Sequence, residues 1–316
     1  MAYASDYQKA LQDKPLSGLF LNDYFLSNKL LNAMQFDSKA VNSNANGLSY
    51  TVVRNEEVEG AAAAREFGSD YSVVNAKPVP ETFYLKVFGG KYQIDTTFED
   101  VIKNINTENE AREKMNAAVK EFSRQLVKGT GSSGEFVGMD KYCTDNDLVS
   151  EIEFDLTGKL TATKAESFYA DFTEMLGSLR VDANAIITDR TLESKLVALE
   201  GLLHKNVVKA TIGKVDYNTY QGLNILPVEN GTCLRTVDAG TTTDTYIDFY
   251  VVRLSTTDGV FCASPNGAAN FVKAIKPVEN GTPLATGYVD FATCFIPKNK
   301  GAIIKGSVKI SSVAKD

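Results

Sequence analysis

The sequence predicts an α+β chain in which one long helix serves a sheet-rich remainder. Three observations lead there. Between Asn109 and Lys128 the apolar residues Ala111, Met115, Ala118, Phe122 and Leu126 recur at steps of three and four, one stripe of a helix. From about 150 to 210 strand and helix patterns alternate, and from Asn218 onward the texture is β-dominated.

The long helix is the element around which the others are placed. It spans roughly 30 Å, about the width of a small domain. Glu110, Glu113, Lys114, Lys120, Glu121 and Arg124 cover its other faces. Lys128 falls in the last turn, where a cation suits the helix dipole, and Gly129-Thr130-Gly131 ends the run. A helix with one apolar stripe is a spine against which something flat is laid.

Ahead of it, residues 1–45 read as an arm. Leu16, Leu19, Phe20, Leu21, Tyr24, Phe25, Leu26, Leu30, Leu31 and Met34 form a dense apolar cluster. Either this is a first core helix folded back on its own domain, or it buries its apolar surface on a neighbouring subunit. Next come two β-rich stretches, Leu48–Arg54 and Thr82–Phe88, around an irregular polar tip. Such a two-stranded loop is only marginally stable alone and needs a partner to lean on. In the tip, Glu56, Glu57 and Glu59 are either solvated charge or an acidic edge that meets basic residues on a partner. After Gly89-Gly90, Thr96 or Thr97 caps a short helix at 98–105.

Beyond the spine, Gly129–Gly138 turns the chain. It lacks the GxxxxGK[ST] pattern and follows a helix instead of opening one, so it is no phosphate cradle. Ile152 and Phe154 mark an edge strand, and Ala165, Phe168, Tyr169, Phe172, Met175, Leu176 and Leu179 mark a helix over 164–180. Residues 183–189 read as a short buried strand and Leu192–Leu203 as a helix, together an α/β block with a mixed sheet. Strands follow at Gly222–Val228 and Thr245–Leu254, and Phe271–Ile275 pairs with Gly287–Pro297 as a hairpin. The hexapeptide PVENGT occurs at Pro227–Thr232 and Pro277–Thr282, and its Asn-Gly predicts the same type I′ turn twice.

Composition closes off several classes of function. The 316 residues carry a net charge of −7, which opposes a surface that grips nucleic acid. No secretory signal opens the chain, and no window of about 18 apolar residues suits a membrane span. Cys143, Cys233, Cys262 and Cys294 are scattered without a CxxC pair, which fits reduced thiols in a cytoplasm better than a disulfide frame or zinc site. Any Ser-His-Asp or Cys-His system must recruit His204, the one histidine, at the polar end of a helix. There is no GxSxG, HExxH or EF-hand loop, the GxGxxG spacing at Gly129–Gly134 follows a helix instead of opening one, and strand alternation puts Glu151, Glu153 and Asp155 on a solvated face. No catalytic residue, cofactor or metal site is expected.

In order and texture the chain resembles the major capsid protein of tailed bacteriophages, the Hong Kong 97 type. The pieces that carry the resemblance are the spine helix with its exit at Lys128–Met139, the segment Ala185–Arg190 before a helix, the strand Gly222–Val228 and the closing Ala302–Gly306. Each is weak alone; their collinearity is the signal.

The resemblance implies a Hong Kong 97-like fold with an N-terminal arm (1–45), an extension loop (46–92) and a peripheral domain with the spine helix (93–140). An axial α/β domain follows (141–265), then a peripheral β-hairpin (266–298) and a C-terminal axial strand (299–316). It implies a structural shell protein, assembled in a host cytoplasm into hexamers and pentamers of an icosahedral or prolate virion. The partners would be scaffolding, portal and decoration proteins and packaged dsDNA held without sequence-specific binding, with no membrane. Phe20, Tyr24, Phe25, Glu56, Glu57, Glu59 and Arg65 would make inter-subunit contacts. Because the arm begins almost at once, scaffolding is expected as a separate protein or the sequence is already the mature form. The loop tip holds Arg65 but no lysine, so the lysine–asparagine crosslink of some relatives is not expected. The alternatives are an encapsulin-type compartment shell and, from another class, a soluble α/β enzyme.

Overall fold

The computed structural model describes residues 29–44, 47–55, 67–68, 70, 78–95, 105–132, 134–203, 209–212, 215–265, 273–279 and 284–314. Its organising helix, α2 (Ile105–Lys128), starts ahead of the apolar stripe that announces it. Met115, Ala118, Val119, Phe122 and Leu126 are buried, as their spacing requires. The flat partner is a five-stranded sheet. In it β15 (Leu284–Pro297) pairs along one edge with β5 (Lys86–Asp95). Elsewhere it pairs with β14 (Lys273–Glu279) and β13 (Val260–Ala263), and β13 also takes the short β1 (Phe36–Asp37). Phe122 of the helix meets Phe88 and Phe291 of the sheet at ring-centroid distances of 6.0 and 6.1 Å, and Phe88 stacks on Phe291 at 5.1 Å. Aromatic pairs at such spacings add about 0.5–1.5 kcal/mol beyond their burial.

The α/β block is built on an eight-stranded mixed sheet in the order β6-β16-β12-β7-β10-β9-β8, with β11 also on β12. These strands are β6 (Phe154–Asp155), β7 (Ala185–Asp189), β8 (Lys209–Ile212), β9 (Val215–Tyr220), β10 (Leu223–Val228), β11 (Leu234–Asp238), β12 (Thr242–Val252) and β16 (Ile303–Ala314). Strands β7 and β10 are parallel, as are β6 and β16; the other pairs are antiparallel. All five residues of β7 are buried, the mark of a strand covered on both faces. Helix α4 (Ala162–Gly177) starts where the Thr161 hydroxyl accepts the Lys164 amide, and buries Ala165, Phe168, Phe172 and Met175. Phe172 packs against Tyr220 and Phe249 of the sheet at 5.3 and 6.1 Å. Helix α5 (Arg190–Leu202) buries Leu192, Leu196 and Leu199.

The exit from α2 needs glycine for space. The chain leaves the helix, loops and returns across its last turn before α3 (Met139–Asp145), with the Gly138 amide donating to the Gly129 carbonyl at 2.9 Å. A Cβ on Gly129 would lie 2.3 Å from the Phe136 carbonyl oxygen, and one on Gly138 2.4 Å from that of Gln125. Both are closer than backbone tolerates.

Two sequence expectations need correction, and one left open is decided for part of its length. The stretch Thr82–Phe88 is not one strand. It breaks at buried Leu85, whose amide donates to Leu48, and passes from β4 (Pro78–Tyr84) in a three-stranded sheet to β5 in the five-stranded one. The first PVENGT joins β10 to β11, which do not pair with each other. Its Thr232 amide closes on Glu229 with positive φ at Gly231 alone, the type II pattern and not type I′. The type I′ turn lies instead at Gln221-Gly222, between β9 and β10, where both φ are positive (50° and 80°). Last, Leu30, Leu31 and Met34 are buried in this chain's own core, so that part of the apolar cluster is not held for a neighbour. They belong to α1 (Lys29–Ala33) and the residue after it, pinned by Asn32 to the Ile212 carbonyl and by the Tyr217 hydroxyl to the Lys29 carbonyl. The short helix expected at 98–105 falls almost wholly outside the described residues, and so does the second PVENGT turn.

Candidate functional site

Two features are built with more care than packing alone requires: a three-stranded sheet, and a charge cluster at the end of α2. The sheet is β2 (Val41–Asn44), β3 (Gly47–Asn55) and β4 in that order. Its root is fastened. The Tyr50 hydroxyl donates to Asp37 at 2.6 Å, and the Tyr50 ring meets Phe261 edge-on at 5.5 Å. Arg54 donates to the carbonyls of Pro297 and Lys298 and pairs with Glu81. Burial alone would raise the Asp37 carboxyl, but the Tyr50 hydroxyl, together with Lys39 and the Ser38 amide, holds it below its usual value. The cover is one-sided: Tyr50 and Val52 of β3 are buried, while the alternate positions are not. No residue of β4 is buried, and Val53 is 63% exposed. Beside the root, Val87 of β5 is 68% exposed. Pro78 and Pro80 lie on the outer edge strand, where their missing amides block further strand pairing.

The charge cluster sits where α2 ends. Lys128 Nζ donates to Asp140 Oδ2 at 2.7 Å and Asp248 Oδ2 at 3.0 Å. Lys305 Nζ lies 2.5 Å from Asp140 Oδ1 and 3.3 Å from Asp248 Oδ2. Arg235 Nε and Ser307 Oγ donate to Asp248 Oδ1 at 3.0 and 2.7 Å. Asp248 has no exposed surface, so every charge around it is needed. Burial pushes its carboxyl up; Lys305 and Lys128, with the hydrogen bonds from Ser307 and Arg235, outweigh burial and hold it below the usual range. Lys128 is likewise shifted up, because Asp140 and Asp248 outweigh its desolvation. Asp140 stands in the first turn of α3 and Lys128 in the last turn of α2, each at the helix end its charge favours. A second ladder repeats the pattern outward, with Lys309 Nζ on Asp244 Oδ2 at 2.6 Å. The cluster welds two helix ends to β11, β12 and β16, which locks the spine half of the molecule to the large sheet. It offers no open position for a substrate.

The residues expected to touch a neighbour, Phe20, Tyr24, Phe25, Glu56, Glu57, Glu59 and Arg65, lie outside the described residues, and so does His204. All four cysteines are buried and unpaired, and burial raises the Cys143 thiol to about 12, too high for a nucleophile. Among the described residues no group of three His, Cys, Asp or Glu gathers to hold a metal, and no helix is long and apolar enough to cross a membrane. Sequence reading found Lys128 but missed its partners. The available signal was an acid at every fourth residue of β12 (Asp244, Asp248) and a lysine at every fourth residue of β16 (Lys305, Lys309), which align only once the two strands are known to pair.

No protein-family model matches the sequence, and neither does any curated protein. Solved structures do match. A chain from Mycobacterium phage Bobi superposes with a TM-score of 0.59 at 9% identity, covering 90% of each chain. The capsid of the native GTA particle gives 0.55 at 13% identity, over 83% of this chain and 85% of that one. The holo-SrpI encapsulin complex of Synechococcus elongatus PCC 7942 gives 0.54 at 10% identity, over 82% and 81%. The fold is Hong Kong 97-like. At such low identity what the chains share is the fold.

Proposed function

We propose that this chain is the major capsid protein of a tailed phage, a subunit that assembles with copies of itself into the shell around a dsDNA genome. The observation that carries the reading is the extent of the fold: nine-tenths of this chain matches nine-tenths of a phage chain, and a GTA capsid shares the fold. The three-stranded sheet supports it, since its exposed Val53 and Tyr84 have no partner surface within the chain's described residues. In this reading the protein is structural and catalyses nothing.

The loop tip, with Glu56, Glu57, Glu59 and Arg65, lies over a neighbouring copy in hexamers and pentamers, and the exposed faces around Val53 and Val87 bury there. Pro78 and Pro80 keep that contact face-to-face instead of edge-to-edge. We place the peripheral unit from Lys86, because all of β5 runs in one ladder with β15; it takes in the spine helix and the hairpin, and residues 141–265 and 299–316 form the axial unit. A few kcal/mol per contact, repeated around a closed surface, holds the shell while leaving single contacts reversible. The acidic balance of the chain encloses DNA without gluing it down. Scaffolding, portal and decoration proteins complete the virion, assembled in the host cytoplasm.

The encapsulin match favours one second reading, a compartment shell filled with protein cargo. Negative-stain microscopy of the concentrated protein tests assembly: closed particles are expected, and a strict monomer in every buffer overturns both shell readings. Nucleic-acid absorbance and mass spectrometry of particle contents from the native source then separate genome from cargo.

A further inference from the structure

Two strands of the large sheet keep one side unpaired among the described residues. The first is β11, which pairs with β12 alone. The Ala239 amide donates to the Thr242 carbonyl and the Asp248 amide to the Cys233 carbonyl, both at 2.9 Å. The alternation of an antiparallel ladder therefore commits the backbone groups of Arg235 and Val237 to β12 and turns those of Thr236 outward. No residue of β11 is buried, and Leu234 and Val237 are 44% and 36% exposed. The second is the end of β16. Even-numbered residues of β12 serve β11, so the Thr243–Val313 and Thr245–Ser311 pairs carry the bonds to β16, and the backbone of Ser312 and Ala314 faces away. Val313 is 61% exposed.

The two margins are complementary. Both strands run antiparallel to β12, so they run parallel to each other on opposite sides of it. Strand β16 already accepts parallel partners on its outer side: Val149 beside Lys305, and β6 beside Val308 and Lys309. Beyond β6 no strand among the described residues pairs with that side, and the five residues Ile310–Ala314 match the five of β11 in length. Alternation also places Leu234, Thr236 and Val313 on one face of the sheet. The outer edge of β4 is closed by Pro78 and Pro80, whereas neither β11 nor β16 contains a proline. We propose that β11 of one copy adds in parallel to Ile310–Ala314 of the next, in line with that copy's β6. The contact is head-to-tail. Each copy offers one margin of each kind, so repetition about an axis closes a ring and leaves neither bare. Ring closure rests on the shell reading; the pairing of the two margins does not.

Two single variants, Thr236→Cys and Val313→Cys, both at exposed positions, read the contact. The four native cysteines are buried, so a short bismaleimide reacts at the new thiols. In concentrated protein an equal mixture of the two variants should give about tenfold more crosslinked dimer than either variant alone, because only a head-to-tail contact holds unlike thiols together. As much dimer from one variant alone means that like margins meet, and overturns the proposal. So does a mixture without dimer when the variants form particles, an outcome that leaves the shell reading standing. Dimer in the mixture from protein that forms no particles keeps the strand pairing and removes the shell. Thr236→Pro is the second arm, since it deletes an amide that points away from β12. Its urea midpoint should stay near that of wild type while particle yield falls on the order of tenfold. Normal yield from a folded Thr236→Pro protein overturns the proposal; if that variant unfolds, the crosslinking decides alone.

Discussion

Asp248 shows at the scale of one residue how the fold tolerates charge in its interior. Its carboxylate is fully buried yet accepts from Lys128, Arg235 and Ser307, with Lys305 within ion-pair distance. Asp248→Asn keeps the volume and removes the charge, leaving cations without their shared counter-ion. We expect a loss of about 3–5 kcal/mol in urea unfolding at pH 7. The pH dependence has a definite sign. The folded pKa lies below the unfolded value of about 3.9, so this stabilisation is complete above that value and is lost as pH falls through the folded one. The gap between wild type and Asp248→Asn should therefore stay level from pH 7 to about 5 and narrow below about 4. A gap that stays constant down to pH 2 would mean that the charge of Asp248 is not what stabilises the cluster. A milder case lies at the helix exit, where the Arg124 guanidinium and then Thr130 pull the Glu135 carboxyl down to about 2. That pair fastens the returning loop to α2 from outside.

Individual elements bring crowding and register into play. Gly138→Ala forces a methyl into the backbone of the last turn of α2 and should cost about 1–3 kcal/mol by thermal denaturation. Gly201→Ala in α5, where nothing lies within 4 Å, should instead stabilise by about 0.4–1 kcal/mol. Opposite signs at two helix-associated glycines would separate close approach from propensity. The N-terminal cluster divides in a similar way. Removing residues 1–28 spares Leu30 and Leu31, whereas a truncation through Leu31 deletes these two buried leucines at about 2–5 kcal/mol each, visible as a lower urea midpoint.

Most elements were legible in the sequence because their cause is local. The stripes of α2 and α4 and the apolar runs of β7, β10 and β12 are set by which face meets the core. The type I′ turn at Gln221 was not legible, since glutamine rarely accepts positive φ unaided. Here Glu200 accepts the Gln221 amide at 2.9 Å, and the Gln221 side chain donates to the Tyr169 carbonyl at 3.2 Å, both long-range contacts. The charge cluster was hidden for the same reason. Asp140, Asp248 and Lys305 are far apart in sequence, and only the sheet order joins them.

For the molecule as a whole, the deciding quantity is what stays uncovered when everything else is satisfied. Val53→Asp and Val87→Asp touch exposed positions and should leave the melting of the isolated subunit within about 0.5 kcal/mol of wild type. The same changes should sharply reduce closed particles in negative-stain fields. Normal particle yield from both variants would move the interface elsewhere. Subunit stability and assembly are thus expected to respond to different residues, the first to Asp248 and the second to the exposed Val53 and Val87.

One strand has a further bearing on how the subunit is made. Strand β16 lies inside the large sheet, between β6 and β12, paired with β12 along its whole length from Ile303 to Ala314, and it supplies Lys305 to the buried charges. It follows in sequence every other strand it completes, so the ribosome delivers the keystone after the arch. Until then β12 has a bare margin and Asp248 lacks one of its cations. A chain interrupted before residue 303 therefore lacks a finished large sheet, and in the proposed shell such incomplete products would be excluded from assembly by their own geometry.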